Sequence, residues 1–256
     1  MNEKVVIIIP TYNEADVIGE TILALADIRA MIHDFDLDVL IFDSASKDTT
    51  QAVVTELQAQ FTWLHLQKES HKSGLGSAYM QAMQYALATL SADIVVEFDA
   101  DLSHQPKYLL PMLERIKTHD VVLGSRYVPE GSIPKDWGWR RKIISILGNQ
   151  VARLILTTQY KDFTSGFRMT RRAMLQEVLG EQFISNHYAY KLQLLWRLHQ
   201  CQATICEYPI VFVDRVKGQS KLPANSIIDS LRVLLILRSY EIKRFLKQSV
   251  RIYEKS

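Results

Sequence analysis

The sequence predicts an α/β fold built on a mainly parallel sheet, and three observations carry that reading. Strand-like and helix-like patterns alternate from Lys4 to Tyr127, as expected of βα units feeding a parallel sheet. The strand candidates are unbroken apolar, β-branched runs, the composition of strands covered on both faces. Acidic residues stand where these runs end, at Asp43, Asp99 and Asp101. Ligands of open α/β sheets bind outside the carboxyl ends of the strands, so the three acids are gathered along one edge.

The elements follow in order. Residues 4–9 form the first apolar run, closed by Pro10. In the Thr11-Tyr12-Asn13-Glu14 segment, Asn13 is placed to cap a helix carrying Val17, Ile18, Ile22, Leu23 and Leu25 on one side. Residues 37–42 are a second strand ending at Asp43, and Ser46-Lys47-Asp48-Thr49-Thr50 opens a helix through Val53, Val54 and Leu57. Residues 62–66 are a third, shorter strand. The basic loop 68–78 is neither a Walker A loop nor a Gly-x-Gly-x-x-Gly turn after the first strand, so P-loop and nicotinamide readings lose their main support. Residues 94–98 are the fourth strand, followed by Asp99-Ala100-Asp101-Leu102-Ser103-His104 and by Pro106 at a helix start. Residues 120–124 are the fifth, leading to Ser125-Arg126-Tyr127.

Beyond Tyr127 the alternation stops. Residues 128–138 hold Pro129, Gly131, Pro134 and Gly138 and read as a loop. A helix with a basic first turn begins at Trp139, with Ile143, Ile146, Leu147, Val151 and Leu154 as its apolar positions. Residues 163–169 are strand-like, 171–178 a short helix, 188–199 another helix and 204–212 extended structure. A charged loop over 213–221 precedes a helical region over 225–250, apolar with interleaved Lys and Arg. The expected organisation is a main domain over 1–222 and a C-terminal amphipathic helical extension over 223–256, placed to face a membrane.

With 48% hydrophobic and 23% charged residues the chain is globular in composition, and a net charge of +2 gives no ground for a nucleic-acid partner. Cys201 and Cys206 match no zinc spacing and read as reduced thiols. The N-terminus lacks signal-peptide form. No segment reaches the roughly 18–20 apolar residues needed to span a bilayer, so a soluble or peripheral protein on the cytoplasmic face of a membrane is expected.

Two carboxylates two residues apart at a strand end suit turn or helix capping, and equally suit Mg2+ or Mn2+ with phosphate oxygens completing the shell. A nucleoside diphosphate is an apt occupant, because the metal neutralises charge on a leaving diphosphate. The second half, rich in Lys and Arg from Arg126 to Arg172 and after Lys217, would then supply cations for a second, anionic substrate. His65, His71, His104 and His119 read as surface or packing residues.

Several segments occur together and in order: Pro10-Thr11-Tyr12-Asn13-Glu14, Asp99-Ala100-Asp101-Leu102-Ser103-His104-Gln105-Pro106, Gly124-Ser125-Arg126-Tyr127, Arg141-Lys142-Ile143-Ile144-Ser145, Thr164-Ser165-Gly166-Phe167-Arg168 and the run from Phe212 to Leu222 with Asp214-Arg215, Gly218, Ser220 and Lys221. Over residues 4–235 this pattern resembles the dolichol-phosphate (polyprenol-phosphate) mannosyltransferases of glycosyltransferase family 2. The resemblance implies a GT-A (nucleotide-diphospho-sugar transferase) fold and an inverting, single-displacement transfer of a hexose. Mannose from GDP-mannose to the phosphate of a polyprenyl phosphate is the transfer it points to first. It implies that Pro10, Tyr12, Glu14, Asp43 and Asp48 belong to the nucleotide-sugar site, and that Asp99, Asp101 and Ser103 serve the metal and diphosphate. Arg126, Arg141 and Ser145 would meet the acceptor phosphate, with Arg215 and Lys221 on a loop closing over the phosphates. Asp99, Asp101 and Arg126 are the catalytic set. The membrane would be reached by a surface of the protein or through a small membrane-anchoring partner.

Chemistry agrees with the residue types. A phosphate monoester is already ionised near neutral pH, its second pKa lying near about 6, so it needs cations to orient it and no dedicated base. One stretch departs from the family. Asp43-Ser44-Ala45-Ser46-Lys47-Asp48-Thr49-Thr50 stands where the family reads Asp-Asp-Gly/Asn-Ser-x-Asp-Gly-Thr, so a carboxylate and a turn glycine are missing. That leaves open a UDP-glucose or other donor, a hydroxyl acceptor, and a non-catalytic nucleotide-sugar or lipid-phosphate binder.

Overall fold

The first strand, β1 (Glu3–Thr11), is fully buried from Val5 to Ile9 because its side chains alternate into two separate cores. The computed structural model describes residues 2–214 and 225–253, with side chains of the last helix described as far as Arg244. Arg215 and Lys221 lie outside the described residues. Ile7 and Ile9 pack with Val39, Val96, Ile18, Ile22 and Val54 on one face, whereas Val6 and Ile8 pack with Leu40, Val95, Tyr79, Met83 and Leu194 on the other. Helices α1 (Ile18–Arg29), α2 (Thr50–Gln58) and α4 (Leu109–Ile116) cover the first face. Helices α3 (Leu75–Ala88), α6 (Arg172–Leu179) and α7 (Tyr190–Gln200) cover the second.

Around β1 lie β2 (Phe35–Asp43), β3 (Leu64–Lys68) and β4 (Ile94–Glu97), all parallel as the alternation predicts. Beyond β4 come β6 (Arg168–Arg171), β5 (Val121–Ser125) and β7 (Ile205–Pro209), giving the order β3-β2-β1-β4-β6-β5-β7. The sheet is therefore mainly parallel, and β6 runs antiparallel between β4 and β5. Its direction has a simple cause. The chain just before it, at Asp162, is bonded to Arg126 at the carboxyl edge of β5, so it re-enters the sheet from that edge and must run the opposite way. The strand-like run read from residue 163 becomes strand only at Arg168.

The insertion is held by a fully buried ion pair. Arg168 donates Nε to Glu97 Oε2 at 2.5 Å and Nη2 to Oε1 at 2.9 Å, both residues being 1% exposed. Tyr190 Oη donates to the same Oε1 at 2.8 Å. Bidentate geometry and a third donor satisfy a carboxylate that water cannot reach.

The helix α5 (Trp139–Ile155) turns much of its apolar side outward. Of the apolar positions read from the sequence, Ile143, Ile146, Leu147 and Leu154 are exposed, and the side turned to the protein carries Asn149 and Ala152. Asn149 faces in because the following loop needs its amide: Phe163 N donates to Oδ1 at 2.8 Å and Nδ2 donates to Lys161 O. The last helix, α8 (Ser226–Tyr253), seats Val233, Leu234 and Leu237 against Ala152, Leu156 and Trp196. Among the described residues no helix is long and apolar enough to cross a membrane.

Arg168→Met leaves Glu97 buried with Tyr190 as its one donor and is expected to lower the unfolding free energy by about 3–5 kcal/mol. Urea denaturation would show this, with a Glu97→Gln, Arg168→Met double variant recovering part of the loss. Equal midpoints for Arg168→Met and wild type would contradict the role given to the pair.

Candidate active site

Asp99 and Asp101 follow β4 at the carboxyl edge, two and four residues beyond the buried Glu97. The turn that carries them is over-determined. Leu102 sits at φ 57°, a left-handed conformation that a leucine adopts at a cost. Ser103 N donates to Asp101 Oδ1 at 3.1 Å, and Asp99 N donates to His104 Nδ1 at 3.2 Å. That bond places the imidazole proton on Nε2, which lies 3.5 Å from Asp99 Oδ2. His104 is buried on Phe167 and Phe98, and burial pushes its imidazole below the ordinary value despite the nearby Asp99. It is a neutral wedge under the turn.

The donor set fits a hard divalent cation. Asp101 is 8% exposed, the Asp99 side chain is 32% exposed, and Ser103 Oγ is buried with no hydrogen-bond partner among the described residues. A buried hydroxyl without a partner beside two carboxylates is the arrangement that Mg2+ or Mn2+, with its preference for oxygen ligands, would satisfy. Among the described residues no three acidic, His or Cys side chains are placed to hold a metal ion by themselves, so phosphate oxygens and water would complete the shell.

On the neighbouring strand ends, Pro10 pairs in register with Phe42, and Thr11, which closes β1, pairs with Asp43. Asp43 is 1% exposed and accepts four hydrogen bonds, from Thr11 Oγ1, Ser46 N, Ser46 Oγ and Gln51 Nε2. Asp48 accepts from Thr50 N and Oγ1 and from Ala15 N, so it ties the start of α2 to the loop after β1. Asn13, Glu14 and Lys47 are stitched into the same knot through Ser46, Thr50 and Asn13 Oδ1. Both acids thus build the loop wall beside Tyr12 and Glu14. Ala45, where the family has Gly or Asn, keeps the turn at φ 56°. Lys72 Nζ stands 3.5 Å above the Tyr12 ring.

The cations of the second half gather around Phe212 and Trp137. Arg126, 7% exposed, forms a two-pronged pair with Asp162, Nε to Oδ2 and Nη2 to Oδ1 both at 2.8 Å, and donates Nη2 to Thr164 Oγ1 at 2.7 Å. Burial would raise the Asp162 carboxyl, but the Arg126 guanidinium and its hydrogen bonds hold it below the ordinary range. Ser145 is hydrogen-bonded to Tyr127 Oη at 2.8 Å. Arg141 lies 3.9 Å from the Trp137 ring centroid and pairs with Asp214 at 2.9 Å. An aromatic chain joins the two halves: Phe212 meets His104, Trp137 and the Arg126 guanidinium.

One cation escaped the sequence. Lys191 in α7 is 3% exposed, packs on Tyr188, and makes no salt bridge among the described residues. Its Nζ would lie 2.1 Å from a Cβ placed on Gly166, so only glycine leaves room for it there. Its charge and that of Arg126 both act on His104. A lysine amid Tyr190, Leu192, Leu194 and Leu195 was the available signal, since a buried lysine needs a reason.

Two outcomes test this geometry. Asp162→Asn leaves Arg126 buried and uncompensated and is expected to cost about 3–5 kcal/mol at neutral pH. Asp162 titrates at its ordinary 3.8 when unfolded and lower when folded, so its contribution is present above that pH and is lost as pH falls through the folded value. The acid limb of unfolding free energy against pH should therefore be shallower in the variant. Separately, Ala45→Gly should stabilise by about 0.5–1 kcal/mol in thermal unfolding, because glycine removes the left-handed strain.

The pattern of Glycosyl transferase family 2 matches residues 6–179. The chain is 31% identical over 231 residues to a polyprenol monophosphomannose synthase of Mycolicibacterium smegmatis, covering 90% of this chain and 84% of that protein. It is 35% identical over 224 residues to an undecaprenyl-phosphate mannosyltransferase of Micrococcus luteus, covering 88% and 89%. Among solved structures, a mannosyl-3-phosphoglycerate synthase from Rubrobacter xylanophilus superposes with a TM-score of 0.63 at 16% identity, over 97% of this chain and 75% of that one. A mannosyltransferase from Pyrobaculum calidifontis in complex with GDP-Man and Mn2+ superposes with a TM-score of 0.59 at 21% identity, over 86% and 59%. The fold is GT-A. With a family pattern spanning most of the sheet and relatives similar over nearly their whole lengths, the chain belongs to glycosyltransferase family 2 and is a glycosyltransferase.

Proposed function

We propose that the protein transfers mannose from GDP-mannose to the phosphate of a polyprenyl phosphate, with inversion, at the cytoplasmic face of a membrane. The observation that carries the reading is that carboxylates and cations converge on one aromatic cluster. His104 lies against Asp99 and feels the charges of Asp101, Lys191 and Arg126, while Phe212 joins it to the Arg126 guanidinium and to Trp137, on which Arg141 packs. Two anionic substrates need both kinds of charge in one site. The two mannosyl-transferring relatives supply the sugar and the lipid phosphate, and the GDP-Man complex of a similarly folded enzyme supports the base.

Mg2+ or Mn2+ held by Asp99, Asp101 and Ser103 would neutralise charge on the departing diphosphate. The protein's own groups do the rest. Pro10, Tyr12 and Glu14 border the nucleoside, with Asp43 and Asp48 fixing that wall through their internal hydrogen bonds. Arg126, held rigid by Asp162, and Arg141 with Ser145 orient the acceptor phosphate, and by resemblance to the family Arg215 and Lys221 serve the same phosphates. An acceptor phosphate oxygen forms a bond to the anomeric carbon as the bond from that carbon to the diphosphate oxygen breaks. No proton has to be removed, which suits a site whose buried histidine is a neutral structural group. The catalytic domain spans 1–222, with 223–256 as a helical extension.

The test is a donor panel with one polyprenyl phosphate and Mg2+ or Mn2+, measuring sugar that partitions into organic solvent. Mannosyl lipid from GDP-mannose is expected, and Asp101→Asn or Lys191→Met should each lower kcat by about a hundredfold or more. A product from UDP-glucose alone, or no product with any donor, would overturn the proposal.

A further inference from the structure

The segment ahead of β6 is gripped from two sides by side chains. Glu207, on the edge strand β7, accepts from two consecutive amides, Lys161 N to Oε2 at 2.8 Å and Asp162 N to Oε1 at 3.0 Å. From the other side, Asn149 takes Lys161 O and Phe163 N. A loop packed against the protein must find partners for its backbone, and here two side chains provide them. With each oxygen engaged by one of two adjacent amides, the carboxylate fixes the peptide plane between them.

That plane decides where Asp162 points. Its carboxylate accepts from Arg126 N at 3.0 Å and from Nε and Nη2 at 2.8 Å, so one group fixes both ends of the arginine. Among the described residues, the one other side chain bonded to the guanidinium is Thr164, which also bonds to Asp162. Keeping Glu207 in this place has a cost. It is half-buried, and burial pushes its carboxyl up, with the Asp162 charge adding to the rise against the pull of the amides. A neutral amide side chain could accept from one N–H, but two adjacent N–H groups held at once call for the paired oxygens of a carboxylate. Asn149 stands one turn after Ser145 and two after Arg141 on α5, so the gripped segment also joins Arg126 to that helix.

We infer that Glu207 is a positioning residue for the acceptor phosphate: by gripping the amides of Lys161 and Asp162 it aims Arg126, through the Asp162 carboxylate, toward the phosphate shared with Arg141 and Ser145. The inference rests on the proposed role of Arg126 and adds a residue that touches no substrate itself.

Glu207→Gln in the full-length protein tests this, since glutamine keeps the shape and removes one acceptor oxygen. With GDP-mannose, Mg2+ and a short isoprenyl phosphate, KM for the isoprenyl phosphate should rise about tenfold while KM for GDP-mannose stays within about twofold. In 15N NMR, hydrogen exchange at the Arg126 Nε–H should quicken about tenfold, and the Arg168 Nε–H, in its separate pair with Glu97, should keep its wild-type rate. Glu207→Asp, which keeps both oxygens but draws them back by a methylene, should move both readouts in the same direction. A general loss of stability would quicken both arginines alike, and that result, or an unchanged Arg126 rate, would overturn the inference. So would equal rises in KM for donor and acceptor. If neither wild type nor variant uses the isoprenyl phosphate while exchange quickens at Arg126 alone, the positioning of Arg126 stands and the assigned acceptor falls.

Discussion

The buried pair of Glu97 and Arg168 is the constraint on which the site depends. Each partner stands next to a functional segment: Glu97 two residues before Asp99, Arg168 two after Gly166, and the third member, Tyr190, one before Lys191. One carboxylate therefore fixes the acid-bearing turn, the glycine that admits the lysine, and the lysine itself. Tyr79 extends the clamp, stacking on Tyr190 and donating to Phe98 O at 3.1 Å. A buried ion pair is weak evidence for stability in itself, because desolvation offsets attraction. Here its geometry also makes an antiparallel strand fit inside a parallel sheet, so register and site position come from the same bonds.

Electrostatic roles divide accordingly. Arg126 has much of its charge offset by Asp162, which makes it a rigid donor rather than a free cation. Lys191 has no such partner among the described residues, and it sits close enough to act on His104. In the proposed reaction, the cationic field facing the phosphates would therefore fall more heavily on Lys191 than on Arg126. Keeping His104 neutral avoids adding a cation beneath the carboxylates that would hold a metal.

Much of this could be read in the sequence. The parallel half of the sheet, the placing of Asp43, Asp99 and Asp101 at strand ends, and the family itself were visible as apolar runs and spaced motifs. What could not be read has physical reasons. The period of α5 gave its apolar side but not which way that side faced, because the decision lies with Asn149 and a loop fourteen residues on. The direction of β6 depends on Asp162 reaching Arg126, a contact across 36 positions. Asp43 was legible as an acid at a strand end, but its four internal donors come from three dimensions. His104 read as a surface or packing residue and is buried packing, under the turn that carries Asp99 and Asp101.

The central claim is that a divalent cation belongs to the leaving diphosphate and that side-chain cations belong to the attacking phosphate. Phosphorus NMR with Mn2+ tests it most directly, using the protein with GDP and a short-chain isoprenyl phosphate. Paramagnetic broadening should mark both GDP phosphates as directly coordinated and the bound acceptor phosphate as a neighbour outside the coordination shell. Direct coordination of the acceptor phosphate, or no binding of Mn2+ that Asp101→Asn removes, would contradict the account.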